Sequence, residues 1–420
     1  ALPISLTWYM RGDAERMSKL DAIKEIERKT GISIEFITPS ENVDDSFKLM
    51  LASGNLPDII QWKYSTYPSK GSVNSLYLDG IAVELTELIK QYAPNLSAIY
   101  EKRPEIMSEV LTLDEKLLYF PKINPMLTKE EIARKSTTGL IIRYDWLERL
   151  GLTMPTNIDE WYMVLSAFKN GDPNKNGLDD EIPFDGSGIG CFTAAFGILD
   201  DICIKDGKVV FGPIQQEYKD YLNTMKLWYD EGLIGKDSLA ASDFWMRENI
   251  IGNVTGSFKG LDNAWSVYLG KLQEKNEAAQ LAAVPWPMDK NGVKYTVRED
   301  MATHLNQEIT IITSNCKYPE KAVELIDFFY SEEGETLMQW GIEGETFEVV
   351  NGEKRILEEA LVTDSESGRS LYYQTTIPHL GYPKYSGEVV IHQLHSEEWL
   401  EAELVWADAD TSLIYPPSII

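Results

Sequence analysis

The sequence predicts an α/β protein built from more than one domain. Three observations carry this: β-favouring runs alternate with amphipathic helical stretches in the first third, the alternation restarts near residue 139, and a strand and helix recur after residue 300. At 420 residues the chain also exceeds one ordinary domain, and its size suggests roughly two or three.

The run 4–8 is apolar and β-favouring and predicts a first strand. Over 13–30, Met17, Leu20, Ile23 and Ile26 recur at three-residue steps, which predicts one helix closed by Gly31. The run 32–37 alternates as a second strand, 44–53 is a second helix ending at Gly54, and 57–62 is a third strand. Short parallel strands with helical crossovers make a doubly wound lobe, and such sheets bind ligands beyond the carboxyl ends of their strands. Trp8 and Tyr9 fall at one of those ends, and Trp62 and Tyr64 at another. Each ring taken singly is equally compatible with core packing.

The second pattern opens with the strand 139–143 and the helix 145–150. Thr156 is expected to cap the next helix, with Asp159 and Glu160 suited to the positive end of its dipole. The amphipathic run 218–231 closes at Gly232. Further on, 308–313 predicts a strand and 319–331 a helix whose apolar face is Ala322, Leu325, Ile326 and Phe329. No internal repeat, heptad array or low-complexity tract interrupts this.

Hydrophobic residues make up 43% of the chain, enough for sizeable cores, yet no segment approaches the ~18 uninterrupted apolar residues of a membrane-spanning helix. The net charge of −28 repels phosphate backbones and anionic membrane surfaces, which argues against nucleic acid as a partner. No basic and apolar leader is present, so a secretion signal is expected to lie outside this sequence. Cys191, Cys203 and Cys316 lack metal-ligand spacing; three buried thiols are favoured over a 191–203 disulfide.

The strongest local motif is 172–181. Asp172, Asn174 and Asn176 place oxygens at loop positions 1, 3 and 5, Gly177 stands at 6, the Leu178 carbonyl is available at 7, and Asp180 stands at 9. A hard cation wants six to eight oxygens, and alternate residues on a tight turn supply them. Position 12 is Pro183 where an EF-hand has its bidentate glutamate, and Glu181 can take that role by another route. The reading is a structural calcium site with no switching function; the competing reading is a metal-free polar turn.

Other signals are weaker. The stretch 186–190 is glycine-rich but lacks phosphate-loop and dinucleotide signatures, and reads as a flexible loop. His392 and His395 do not form a zinc-hydrolase signature, His304 and His379 are isolated, and no nucleophile elbow is present. Acid pairs such as Glu343 with Glu345 could in principle serve a glycosidase, but nothing singles out one pair among 67 acidic residues.

Several segments together resemble family 1 extracellular solute-binding proteins, the maltodextrin-binding class, and above all the large lipoprotein-type oligosaccharide binders of Gram-positive bacteria. They are 49–60 (LMLASGNLPDII), 143–152 (RYDWLERLGL) running into 155–161 (PTNIDEW), the calcium-type loop where alginate-binding relatives carry one, and 318–329 (YPEKAVELIDFF) leading into 340–347 (WGIEGETF). The resemblance implies a type II periplasmic-binding-protein fold of two lobes, with a sugar held in the cleft between them. It implies a non-catalytic monomer that serves the transmembrane subunits of an ABC permease. It further implies an extracellular lipoprotein whose anchor lies outside this sequence. Lobes of 1–138 with 303–365, and of 139–302 with 366–420, are expected. Long relatives continue past the point where this chain stops, so a further C-terminal segment is expected too.

Carried onto this sequence, the resemblance offers Trp8, Tyr9, Arg11 and Asp13 after the first strand, and Trp62 and Tyr64 after the third. From the second lobe come Asp262, Asn263 and Trp265, where the family places an aromatic platform, and Trp245 and Tyr372 complete the set. Such groups suit a sugar, whose C–H patches pack on rings and whose hydroxyls need polar partners. A calcium-stabilised glycoside hydrolase or lyase is the rival by class; a peptide or amino acid is the rival ligand.

Overall fold

A computed structural model describes residues 4–10, 13–38, 43–63, 73–124, 138–185, 187–236, 243–261, 264–297, 304–362, 370–376, 382–385 and 397–415. The chain divides into two compact units. The first comprises Ala1–Pro125, His304–Leu394 and Ser418–Ile420; the second comprises Met126–Thr303 and His395–Pro417.

The first unit is built on a six-stranded sheet. Its order is Lys384–Tyr385, Phe120–Ile123, Leu305–Ile312, Ile59–Lys63, Ile4–Tyr9 and Ile32–Ile37. Leu305–Ile312 runs antiparallel to both its neighbours, and the other pairings are parallel. This is the doubly wound pattern read from the sequence, with one reversed strand inserted. Leu6, Ile23, Ile26, Ile59, Ile311 and Ile326 are among the buried residues of its core.

The single helix expected over 13–30 is instead two, Ala14–Lys19 and Asp21–Thr30. Leu20 between them is extended, with φ −63° and ψ 132°, and remains buried, so the three-residue apolar step continues through a break in the backbone. Asp13 caps the first piece by accepting the Arg16 amide at 3.0 Å. The helix expected over 319–331 ends earlier, at Pro319–Phe328, and Ser331 opens a new one, Glu332–Gln339, by accepting the Gly334 amide at 3.0 Å. At Gly334 a Cβ would lie 2.0 Å from the Phe328 carbonyl oxygen, so only glycine permits this tight junction.

The segment 366–394, expected with the second lobe, belongs to the first unit. Among the described residues, Lys384–Tyr385 pairs with Phe120–Ile123, Tyr382 joins the first unit's core, Tyr372 donates to the Gln339 carbonyl and the Tyr373 carbonyl accepts from Arg16.

The second unit has a four-stranded sheet in the order Leu281–Val284, Thr138–Arg143, Thr255–Leu261 and Ile182–Asp185. The first two pairings are antiparallel and the last is parallel. Trp161, Phe184, Phe192 and Trp228 pack edge-to-face at ring separations of 5.2–6.4 Å, an arrangement their quadrupoles favour. Arg143 and Asp145 form a buried two-pronged pair at 2.9 and 2.8 Å. Asn253 accepts from the same guanidinium at 2.7 Å and the Gln280 amide donates to Asp145 at 3.1 Å, so neither charge is left without polar neighbours.

The helix cap here is Asn157 and not Thr156. Asn157 accepts the Glu160 amide at 3.0 Å, while the Thr156 amide and hydroxyl donate back to the Glu160 carboxylate at 2.8 and 2.7 Å. The glycine-rich stretch is no loose loop: Ser187–Phe196 is a 3-10 helix. All three cysteines are free thiols, two buried and Cys316 half-buried.

Helix Glu397–Ala407 closes the second core. The Trp406 indole donates to the Leu140 carbonyl at 3.1 Å, and the Trp406 carbonyl accepts from the Trp286 indole at 2.9 Å. The ring lies so close to Gly139 that a Cβ there would come within 2.5 Å of it. Among the described residues no helix is long and apolar enough to cross a membrane.

Candidate functional site

Two places bear on function, one in each unit. In the first unit, Tyr9 ends one strand, Trp62 stands near the end of another, and helix Val43–Ser53 brings Phe47 against them. Phe47 and Trp62 stack with centroids 4.0 Å apart and planes 9° from parallel; Tyr9 stacks on Trp62 at 5.8 Å and 27°. All three are at most 3% exposed. The structure thus brings together two predicted ligand residues and adds Phe47, whose place on an apolar helix face concealed it.

Trp8, which alternation turns to the opposite face of the strand, is 2% exposed and packs against Phe36 and Phe329. It offers no open ring face, and this corrects the expectation that it reaches toward a ligand. Tyr372 is likewise fully buried, its hydroxyl donating to the Gln339 carbonyl at 2.6 Å, which makes it a packing residue. Trp265 donates its indole N–H to the Leu281 carbonyl at 3.2 Å and is largely buried. Asp13 is exposed, and one oxygen of its carboxylate caps the helix. Trp245 stands in helix Asp243–Ile251. Arg11, Tyr64, Asp262 and Asn263 lie outside the described residues.

The same sheet carries a polar stripe that sequence reasoning missed. Gln61, Thr310 and Phe120 are register neighbours across three strands. Glu308 and Lys122 stand two residues from Thr310 and Phe120 along their strands, and Lys384 pairs with Lys122 at the sheet edge. Residues two apart in a strand share a face, so Gln61, Thr310, Glu308, Lys122 and Lys384 lie on one side of the sheet. Gln61 Oε1 and Thr310 Oγ1 are buried and, among the described residues, have no hydrogen-bond partner. Burial pushes Lys122 below the usual lysine range; burial, then the charge of Lys122, pushes Lys384 down to about 7.

In the second unit, the calcium-type loop is folded around its own oxygens. Asp172 accepts the amides of Asn176 and Gly177 at 3.1 and 3.2 Å, Asn174 accepts the Asn176 amide at 3.0 Å, and Asn176 accepts the Leu178 amide at 2.8 Å. The side-chain amides of Asn174 and Asn176 donate to Asp180 at 3.2 and 3.0 Å. Asp172, Lys175 and Gly177 all have positive φ, at 45°, 58° and 75°, which only the glycine adopts without strain. Arg149 ties the loop to helix Tyr144–Leu150 by donating to the Pro173 carbonyl. Among the described residues Glu181 Oε1 is buried without a hydrogen-bond partner, and its carboxyl is pushed above the usual range by burial and by Asp180, Asp172 and Asp179. A divalent cation would relieve that, so the residues fit the ion. Among the described residues no three His, Cys, Asp or Glu side chains already converge as a metal site. The loop's donors include two asparagines and a backbone carbonyl, and its aspartates are turned to amide N–H groups.

The family model for bacterial extracellular solute-binding proteins matches residues 18–336. The chain belongs to that family. This solute-binding protein is 29% identical over 337 residues to the fructooligosaccharide ABC transporter substrate-binding protein FusA of Streptococcus pneumoniae, covering 77% of this chain and 60% of the relative. It therefore spans less than two thirds of that relative's length. It is also 26% identical over 399 residues to lipoprotein LipO of Bacillus subtilis, covering 90% of this chain and 72% of LipO. Its fold matches that of the alginate-binding protein AlgQ2, solved without calcium ion, with a TM-score of 0.73 at 22% identity over 95% of this chain and 81% of the other. An EF-hand mutant of FusA holding fructo-nystose matches with a TM-score of 0.72 at 23% identity, over 99% of this chain and 86% of that one.

Proposed function

We propose that this solute-binding protein captures an oligosaccharide outside the cell and delivers it, chemically unchanged, to the transmembrane subunits of an ABC importer. The observation that supports this most is the family match, joined to a relative whose name specifies fructooligosaccharide and a shared fold whose solved representative is named for alginate. The chain acts as a monomer held at the cell surface by a lipid anchor, in keeping with its likeness to LipO. Arg11, Asp13, Tyr64, Trp245, Asp262 and Asn263 supply the ligand contacts, with the buried Tyr9, Trp62 and Trp265 as supporting packing.

A thermal-shift panel of oligosaccharides, peptides and amino acids tests the ligand class. Stabilisation by sugars alone, with no product released on prolonged incubation, is the expected outcome. Stabilisation by peptides alone, or turnover of a glycan, overturns it.

The loop 172–181 holds a structural calcium through Asp172, Asn174, Asn176, Asp180, Glu181 and the Leu178 carbonyl. The ion would supply the positive charge that four neighbouring carboxylates, Asp172, Asp179, Asp180 and Glu181, lack. The support is the positive-φ turn and the orphaned oxygen of Glu181.

A further inference from the structure

Two lysines that are direct register neighbours repel one another, which costs a sheet stability. Burial adds to that cost, because an ammonium loses its water shell. Lys384 is 3% exposed, with its ammonium 5.0 Å from the centre of the Tyr382 ring. Lys122 is half-buried, and among the described residues no hydrogen bond or ion pair engages its amine. Glu308 is the opposite charge felt by both lysines, and Glu335 a second one felt by Lys384. Glu308 nonetheless makes no ion pair with Lys122. The first unit thus keeps a desolvated cation in a protein of net charge −28, where an exposed position would cost nothing.

Its position gives the reason. Phe120–Ile123 and Lys384–Tyr385 run parallel to each other, and both lysines stand within a residue of their strand's carboxyl end. That edge is where open α/β sheets receive ligands. The overall field of so acidic a chain opposes an anionic ligand, but beyond a Debye length of ~8 Å salt screens it, so nearby ammonium groups decide the local outcome. A carboxylate accepting from ammonium groups makes charge-assisted hydrogen bonds, roughly twice as strong as neutral ones.

We propose that Lys122, backed by the buried charge of Lys384, forms an anion-recognition point for the carboxylate of an acidic sugar, making uronate-containing oligosaccharides the preferred ligand class. This rests on the reading of the protein as a sugar receptor and sharpens it.

Isothermal titration calorimetry with trigalacturonate, trimannuronate, triguluronate, fully methyl-esterified trigalacturonate and maltotriose tests it. At least one uronate binds, and removal of its charge, by esterification or by replacement with maltotriose, weakens binding at least tenfold. Lys122→Met weakens the acid at least tenfold, while Lys122→Arg retains most of the affinity. The melting temperature of each variant, recorded alongside, separates lost recognition from lost folding. Acid binding falls between pH 6 and pH 8.5 as Lys384 gives up its proton, with Lys122, Glu308 and Glu335 as the charges around it. Binding of none of the three uronates, or an affinity unchanged in a folded Lys122→Met variant, overturns the inference. If maltotriose then binds tightly, the sugar-receptor reading stands alone; if only peptides stabilise the protein in the thermal-shift panel, that reading falls as well.

Discussion

The aromatic trio of the first unit and the polar loop of the second teach opposite lessons about residues that look functional. Tyr9, Trp62 and Phe47 stack face to face and are shut away from solvent, so their apolar area is already used by the core. The oxygens of loop 172–181 accept from the loop's own N–H groups at the surface, and one carboxylate oxygen of Glu181 is left over. A ring serves a core or a ligand with the same chemistry, so its type alone does not decide its role. Oxygens at alternate positions around a left-handed glycine have few other uses, so their spacing carries far more meaning.

The largest test of this contrast is Trp62→Ala. Loss of a fully packed indole is expected to destabilise the protein by about 3–5 kcal/mol, seen as a lower denaturant midpoint with or without sugar. A variant that keeps its midpoint and loses sugar affinity would instead assign the trio to the ligand.

The loop responds to an ion and not to truncation of a core. Calcium at 100 times its dissociation constant is expected to stabilise by about 2.7 kcal/mol, chelation to remove the gain, and Asp180→Ala to abolish the response. A melting temperature indifferent to calcium leaves 172–181 as a metal-free turn. Arg149→Met probes the tether more gently: a loss of about 1–2 kcal/mol and weaker calcium binding are expected, measured by denaturant titration with and without the ion. Unchanged calcium affinity would show that the loop is shaped without its anchor.

Much of the fold was legible because glycine marks where helices stop. Gly31, Gly54 and Gly232 all adopt left-handed backbone at the predicted helix ends, with φ of 69°, 68° and 72°. The break at Leu20 was hidden because the apolar step runs straight through it, and a side chain can stay buried while its backbone turns extended. The allegiance of 366–394 was hidden for another reason. It rests on a two-residue strand, on Tyr382 and on hydrogen bonds of Tyr372 and Tyr373, most of them between residues far apart in the sequence that no local pattern announces. At the candidate site, rings at strand ends were found but not which way they face. Trp8 and Tyr9 are adjacent and must point to opposite sides of the sheet, so the two could never have shared one task. Lys122 and Lys384 were passed over because a lysine in a short strand reads as an edge residue; only register reveals that they are neighbours.

The position of Trp406 bears on how the molecule is made. Its indole reaches back to Leu140 across more than half the chain, and the helix bearing it is synthesised only after the last long piece of the first unit. During synthesis the second unit's core at Leu140 therefore stays open until a helix 266 residues further on has been made. Such long-range closure is slow and leaves apolar surface open meanwhile.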